Sequence, residues 1–427
     1  MPRIVLPKLH SGQIAAYNAR SRLHAVRCGR RWGKTVMAVA IAADRALNGR
    51  RVAIMTPEHK QFTEPYDSLD ELLDPVMRSS NQSTGRMRLT TGGHIDFWQL
   101  NDNLKAGRGR EYHDVLIDEA AFTKNVQMME IFERAIKPTT LTTGGSVWAF
   151  STPNGVDPDN FFYRICTEPK LGWTDFHAPT STNPYVTPER IAEEMAAMHP
   201  LVAQQEYLAE FVNWASATFF QLAYFLVNGQ PVQYPKHCST VFAIMDCAVK
   251  SGSANDATAV LYCAYDPFAL GHKLTWLDYE LHMIDAASLE FLAPAVLARC
   301  DDLARQCGAR EGSTGILVED AAGGSVLIQQ AGARGWPVHA LDMSLTMKGK
   351  DERAMIAGGP AYRGDCKISE FAFNKLVEWR GRTLNHLTQQ VTTFRIGDKD
   401  AAKRADDLLD CAAYSIIVAC ADRLTAG

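Results

Sequence analysis

Short apolar runs alternate with longer stretches of helical periodicity through the first ~155 residues, and His24–Cys28, Arg51–Met55, Val115–Ile117 and Ser146–Ser151 read as strands. Strands separated by helical segments predict an α/β fold with a doubly wound sheet. A second series opens at Thr240. Val241–Met245, Ala257–Tyr265, Lys273–Leu281, Gly315–Val318 and Trp336–Leu341 read as strands, with helical patterns between the later members, and predict a separate mixed sheet. Between the two series lie helical patterns around Pro188–Met198 and Val202–Phe211, rich in Glu and Ala. A last helical pattern covers about Lys403–Asp422.

A chain of 427 residues exceeds what one core usually serves, so two domains of roughly 200 residues each are expected. The pattern divides it into residues 1–180, a linker subdomain at 181–215, and residues 216–427. The 46% hydrophobic and 22% charged fractions are those of a soluble globular protein, and no apolar run approaches the ~20 residues of a membrane span. Nothing near Met1 reads as a signal peptide, so cytoplasm is the expected compartment. The ten cysteines form no Cys-x-x-Cys pair, and Cys247, Cys263, Cys411 and Cys420 sit in apolar stretches, which indicates neither zinc nor disulfides. Net charge is −4, unevenly spread: residues 1–51 hold eleven Lys and Arg against one acid, Asp44, and the remainder has 33 basic against 47 acidic residues. A polyanion would be met by the N-terminal region and by local grooves rather than by overall charge.

Cys28-Gly29-Arg30-Arg31-Trp32-Gly33-Lys34-Thr35 follows a strand and opens a helix, where a phosphate-cradling loop belongs. Backbone N–H groups of Gly29, Arg30, Arg31 and Gly33 would surround phosphates, Lys34 would neutralise β/γ oxygens, and the Thr35 hydroxyl would ligand Mg²⁺. Cys28 stands where the simple pattern has glycine, so Gly-Lys-Thr alone is a weak signal. Asp114-Val115-Leu116-Ile117-Asp118-Glu119 strengthens it. An apolar strand ending in paired acids suits Asp118 to hold Mg²⁺ and Glu119 to polarise the attacking water. Together the two motifs point to an ATPase.

In the second half, apolar strands again end in acids: Asp246 closes one, Asp256 opens the next, and Glu319-Asp320 closes a third before Gly323-Gly324. Asp406, Asp407 and Asp410 open the last helix, where Asp410 shares a face with either of the others. One such acid is usually a solvated cap or a favourable charge at a helix N-terminus. Phosphodiester hydrolysis, however, calls for carboxylates that hold two divalent ions ~4 Å apart, and strand-end and helix acids together can build that cage.

Gly-Arg-Arg-Trp-Gly-Lys-Thr, then Ile117-Asp118-Glu119-Ala120-Ala121, then Phe150-Ser151-Thr152-Pro153-Asn154-Gly155 resemble the ATPase of the large terminase subunits of tailed bacteriophages. The series Asp246…Asp256, Glu319-Asp320-x-x-Gly and Asp406-Asp407-x-x-Asp410 resembles their RNase H-like nuclease. The resemblance covers nearly the whole chain, including Asn183-Pro184 and the stretch from Gln205-Glu206 to Glu210-Phe211. It implies a P-loop ATPase domain at 1–180 followed by an RNase H-like α/β nuclease domain at 216–427. It further implies that Arg30 acts in cis on the γ-phosphate, that Ser151-Thr152-Pro153 relays hydrolysis to movement, and that Gln13 reads adenine, although an ordinary turn glutamine explains Gln13 equally well. Asp246 is then the first metal ligand, Glu319 or Asp320 the second and one of the C-terminal aspartates the third, with Asp256 in support; we favour Asp246, Glu319 and Asp410. A strand sends neighbouring side chains to opposite faces, so only one of Glu319 and Asp320 can touch metal. Arg108 and Arg110, in Lys105-Ala106-Gly107-Arg108-Gly109-Arg110, suit either a trans arginine finger or a DNA-touching loop.

By the same resemblance the chain is a motor that cuts concatemeric viral double-stranded DNA and threads it into a procapsid. Its cofactors would be ATP with Mg²⁺, and Mg²⁺ or Mn²⁺ in the nuclease. Its partners would be DNA, a small terminase subunit, the portal protein and further copies of itself in a ring, with no membrane. No base-reading module is evident, which fits site choice delegated to another subunit. The alternative is a DNA-repair helicase or translocase with a nuclease, but no further helicase motif lies between Pro153 and the nuclease. A binding protein with a degenerate ATPase core would lack Lys34 or Glu119, and both are present.

Overall fold

The computed structural model describes residues 4–101, 105–123, 127–214, 218–247, 258–284, 288–321, 323–397 and 406–421. Asp256, the start of its strand at Ala257, and the expected helix start at 403–405 lie outside the described residues. The chain forms two compact units, Met1–Ala196 with Pro200–Asn213, and Ala197–His199 with Trp214–Gly427.

The first unit is built on an eight-stranded sheet of order β3-β4-β5-β2-β6-β7-β1-β8. Its strands are β1 (Leu23–Cys28), β2 (Arg51–Thr56), β3 (Met77–Asn81), β4 (Arg86–Leu89), β5 (His94–Gln99), β6 (Asp114–Ile117), β7 (Ser146–Ser151) and β8 (Thr174–Ala178). From β5 to β8 neighbouring strands run parallel, while β3, β4 and β5 pair antiparallel. The central parallel strands are covered on both faces, which is why β6 is buried at every position and reads as a continuous apolar run. Alternate residues of β7 serve the two cores. Trp148 and Phe150 pack with Met37 and Ile41 of helix Lys34–Leu47, and Val147 and Ala149 pack with Phe132, Phe161 and Phe162. Cys28 of β1, Ile117 of β6 and Ser151 of β7 end close together, since Arg27 lies opposite Ser151 and Ile117 opposite Ala149. The loops that follow share the carboxyl edge of a doubly wound sheet, where ligands bind in such folds.

The second unit carries a six-stranded sheet of order β13-β12-β9-β10-β11-β14. β9 (Thr240–Asp246), β10 (Thr258–Tyr265) and β11 (Leu274–His282) are antiparallel; β12 (Ser313–Val318) runs parallel to β9, β13 (Val338–Ala340) to β12 and β14 (Cys366–Ile368) to β11. Helix Leu289–Gln306 packs on the face of Val260, Tyr262 and Leu277. Helix Asp407–Cys420 takes the other face, where Trp276 Nε1 donates to Ser415 Oγ at 2.9 Å. This is an RNase H-like arrangement, with Asp246 and Glu319 at the ends of two adjacent parallel strands.

Some elements differ from the expected ones. The strand expected at Trp336–Leu341 is only Val338–Ala340. The helix expected through Phe211 stops at Glu206, because the carbonyls of Glu206 and Tyr207 turn away to accept N–H groups of Arg30 and Thr180, and Ala209 is left-handed with φ 56°. β3, β4, β5 and β8 were not expected. The edge strand β3 is nearly all exposed and polar, so it has no apolar signature to read.

Candidate functional site

In the first unit the loop between β1 and helix Lys34–Leu47 is held almost residue by residue. Gly29 N–H donates to Ala178 O (3.0 Å) and Arg30 N–H to Glu206 O (2.5 Å). The carbonyl of Arg30 accepts from Thr180 Oγ1 (2.7 Å), that of Arg31 from Asn183 Nδ2 (2.8 Å), and the Trp32 indole donates to Thr182 Oγ1 (2.8 Å). Gly29 has no room for a side chain, since a Cβ there would meet Thr180 Oγ1 at 2.3 Å. Gly33 adopts φ 96° and Arg31 φ 61°, the left-handed backbone that lets such a loop turn its N–H groups inward. Arg30 and Arg31 are exposed.

Gln13 braces the same loop from behind. Its Nε2 donates to Gly33 O (2.8 Å) and its Oε1 accepts from His10 N–H (2.9 Å), which closes the capping box of helix Ser11–Asn18. Gln13 is 2% exposed, and both ends of its amide are engaged in this brace.

The acids at the end of β6 face this loop. Lys34 Nζ lies 2.8 Å from Glu119 Oε1, and Thr35 Oγ1 donates to Asp118 Oδ2 at 3.5 Å. Burial alone would lower the Lys34 pKa, but Glu119 and Asp118 hold it above the usual value. Burial first, then the Glu119 carboxylate, raises that of Asp118. Glu119 is itself left-handed (φ 52°), and its Oε2 is buried with no hydrogen-bond partner among the described residues. Ser151 Oγ accepts from Ala121 N–H (3.1 Å), and Gly155 N–H donates to Gln205 Oε1 (2.8 Å). Ser151-Thr152-Pro153 therefore sits between the acidic strand end and helix Pro200–Glu206. Arg108 and Arg110 are exposed on a turn in which Gly107 and Gly109 have φ 77° and 74°.

In the second unit Asp246, Glu319, Asp407 and Asp410 converge. The Asp246 carboxyl is raised well above the ordinary range by burial first, then by Asp410 and Asp407, with Glu319 adding and Lys350 opposing. Asp407 is pushed up to about 7 by burial and then by Asp406, and its Oδ2 is buried with no hydrogen-bond partner among the described residues. The two acids after β12 part company: Glu319 Oε2 accepts from Tyr414 OH (3.1 Å), while exposed Asp320 accepts from Ser325 Oγ (2.7 Å). Asp410 Oδ1 lies 2.7 Å from Arg353 Nη2 and Oδ2 lies 3.0 Å from Lys350 Nζ, which also pairs with Asp406. Among the described residues no three His, Cys, Asp or Glu side chains are already gathered as a metal-holding group.

The sequence reading missed Glu206, whose carboxyl is raised by burial against the pull of Arg30 and Lys34, and it missed Lys350, Arg353 and Tyr414. The available signal was the i, i+3 spacing of Lys350 and Arg353 just after Gly349, at the start of helix Lys350–Arg363.

No protein-family model matches the sequence, and no curated protein matches it. Solved structures do. The large terminase of a thermophilic bacteriophage superposes with a TM-score of 0.60 at 11% identity, covering 96% of this chain and 99% of that one. The fold is that of a phage large terminase. The same terminase in complex with ADP gives 0.57 at 12% identity, and its complex with ATP-γ-S gives the same values. Both matches again cover 96% of this chain and 99% of the other. Among the described residues no helix is long and apolar enough to cross a membrane.

Proposed function

We propose that this chain is a viral DNA-packaging motor: an ATPase that drives double-stranded DNA into a procapsid, joined to a nuclease that cuts concatemeric DNA. The observation that carries the reading is the pairing of two sites on one terminase fold. Lys34 and Thr35 face Asp118 and Glu119 in one unit, and four acids converge in the other.

In the ATPase, the N–H groups of Arg31 and Gly33 cradle the phosphates, since those of Gly29 and Arg30, expected to share in this, are already given to Ala178 O and Glu206 O; Lys34 neutralises the phosphate charge, and the Arg30 side chain reaches the γ-phosphate. Glu119 orients and polarises the attacking water, and Ala121 passes the change to Ser151 through their hydrogen bond. The nucleotide complexes of the thermophilic phage terminase support the choice of substrate. The hydroxyl of Thr35 and the carboxylate of Asp118 suit a hard divalent ion such as Mg²⁺. In the nuclease, Asp246, Glu319, Asp407 and Asp410 would hold Mg²⁺ or Mn²⁺, and the buried, unpartnered Oδ2 of Asp407 fits that role. Bound there, two such ions would activate water and steady the leaving oxygen. Asp320 is exposed and accepts from Ser325 Oγ, so Glu319 rather than Asp320 is the acid after β12 that we assign to the metal. The partners we propose are a small terminase subunit, the portal protein and further copies of the chain in a ring.

The test is nicking of supercoiled plasmid by the purified chain with Mn²⁺ or Mg²⁺, alongside ATP turnover in the same preparation. Metal-dependent nicking lost in Asp246→Asn, with turnover retained, supports the reading. A folded protein that neither nicks nor hydrolyses ATP overturns it.

A further inference from the structure

We propose that Lys350 is a built-in competitor for the divalent ions of the nuclease site: its ammonium occupies Asp410, and an entering ion has to displace it. This rests on the nuclease reading above. Both oxygens of Asp410 are held by cations one helical turn apart on helix Lys350–Arg363, and the two cations are not equivalent. The Arg353 side chain is 11% exposed, lies over the Tyr414 ring with its guanidinium carbon 4.8 Å from the centroid, and donates Nη1 to Lys348 O at 2.7 Å. It is a fixed buttress that sets the carboxylate's direction. Lys350 is different in kind. It begins the helix directly after Gly349, is 28% exposed, and presents a point charge on a flexible stem shared between Asp410 and Asp406.

The surroundings favour an exchange. Asp246, Asp407, Asp410 and Glu319 place four carboxyl groups in one partly buried region, and Lys350 supplies a single positive charge against them. A divalent ion brings twice that charge and can take several carboxylate oxygens at once, whereas an ammonium has only three donors. Ion entry and release of Lys350 are therefore one event. Lys350 weakens ion binding by the strength of its own pairs, so the nuclease is silent at low divalent-ion concentration although every acid is in place.

The test is a Mn²⁺ titration of the full-length, nucleotide-free chain followed by electron paramagnetic resonance. Sites lost in Asp246→Asn define the nuclease ions. Lys350→Met, which keeps the stem and drops the charge, is expected to bind these ions about fivefold more tightly or better, the worth of an ion pair at the strong end of the range for partly exposed pairs. Lys350→Arg keeps the charge and should stay near wild type, and it guards against a mere folding effect. Unchanged or weaker Mn²⁺ binding in Lys350→Met, with the sites present in wild type, overturns the inference and leaves the nuclease reading standing. Wild type without any Mn²⁺ that Asp246→Asn removes overturns both.

Discussion

The Lys34 ammonium and the Glu119 carboxylate form an ion pair of 2.8 Å that ties the loop after β1 to the end of β6. The group suited to phosphate and the group suited to water balance each other's charge in a partly buried setting.

Glu119→Gln keeps the shape and one hydrogen bond to Lys34 but removes the base. ATP turnover is expected to fall by about 10²- to 10⁴-fold, the usual worth of such a group, while plasmid nicking persists. Loss of both activities in a folded variant would mean that the two units do not work as separate engines.

Asp246→Asn should do the reverse and abolish nicking while ATP turnover continues. It also removes a carboxyl that burial and three neighbouring acids disfavour in its charged form. In the presence of a chelator the variant is expected to unfold at a higher temperature than wild type, read by scanning calorimetry.

Gln13→Ala removes the link to Gly33 O and the reciprocal bond from His10 N–H. Because both ends of the amide are engaged in bracing the loop, KM should rise for ATP and GTP alike. A rise confined to ATP would assign Gln13 to reading the base.

His24 lies fully buried in β1, edge-on to Trp148 at 4.9 Å between ring centroids, and burial lowers its pKa to about 4. The unfolded chain, with an ordinary histidine near 6.5, binds the proton more readily. His24 therefore stays neutral at no cost above about pH 6.5, and stability falls as pH drops from there towards 4, by about 3 kcal/mol in all. Urea unfolding at about pH 7 and about pH 5 should show about 2 kcal/mol of this loss, and His24→Phe should remove most of the difference.

Much of both sheets could be read because their strands are buried on both faces and their chemistry sits at strand ends. β1, β6 and β7 announce themselves as apolar runs closed by Gly29, Asp118 and Ser151, and β9 and β12 by Asp246 and Glu319. β3 could not be read, since Arg78, Ser79, Ser80 and Asn81 face solvent on an edge. Nor could pairs distant along the chain. Thr180, Asn183 and Glu206 hold the loop after β1 across some 150 residues of sequence or more, and Arg353 meets Asp410 across 57. The choice between Glu319 and Asp320 depended on strand phase at β12, which the hydrogen bonds to Tyr414 and Ser325 make visible.

Glu119 combines a left-handed backbone with a buried, unpartnered carboxylate oxygen, and each of these costs stability. Glycine at this position would relieve both, but it would also leave the partly buried Lys34 ammonium without its carboxylate, a loss that outweighs the gain. Glu119→Gly should therefore leave a chain that is easier to unfold. The strained backbone at the end of β6 is kept in place by the charge it faces, so the loop after β1 acts as the clasp of its own neighbour.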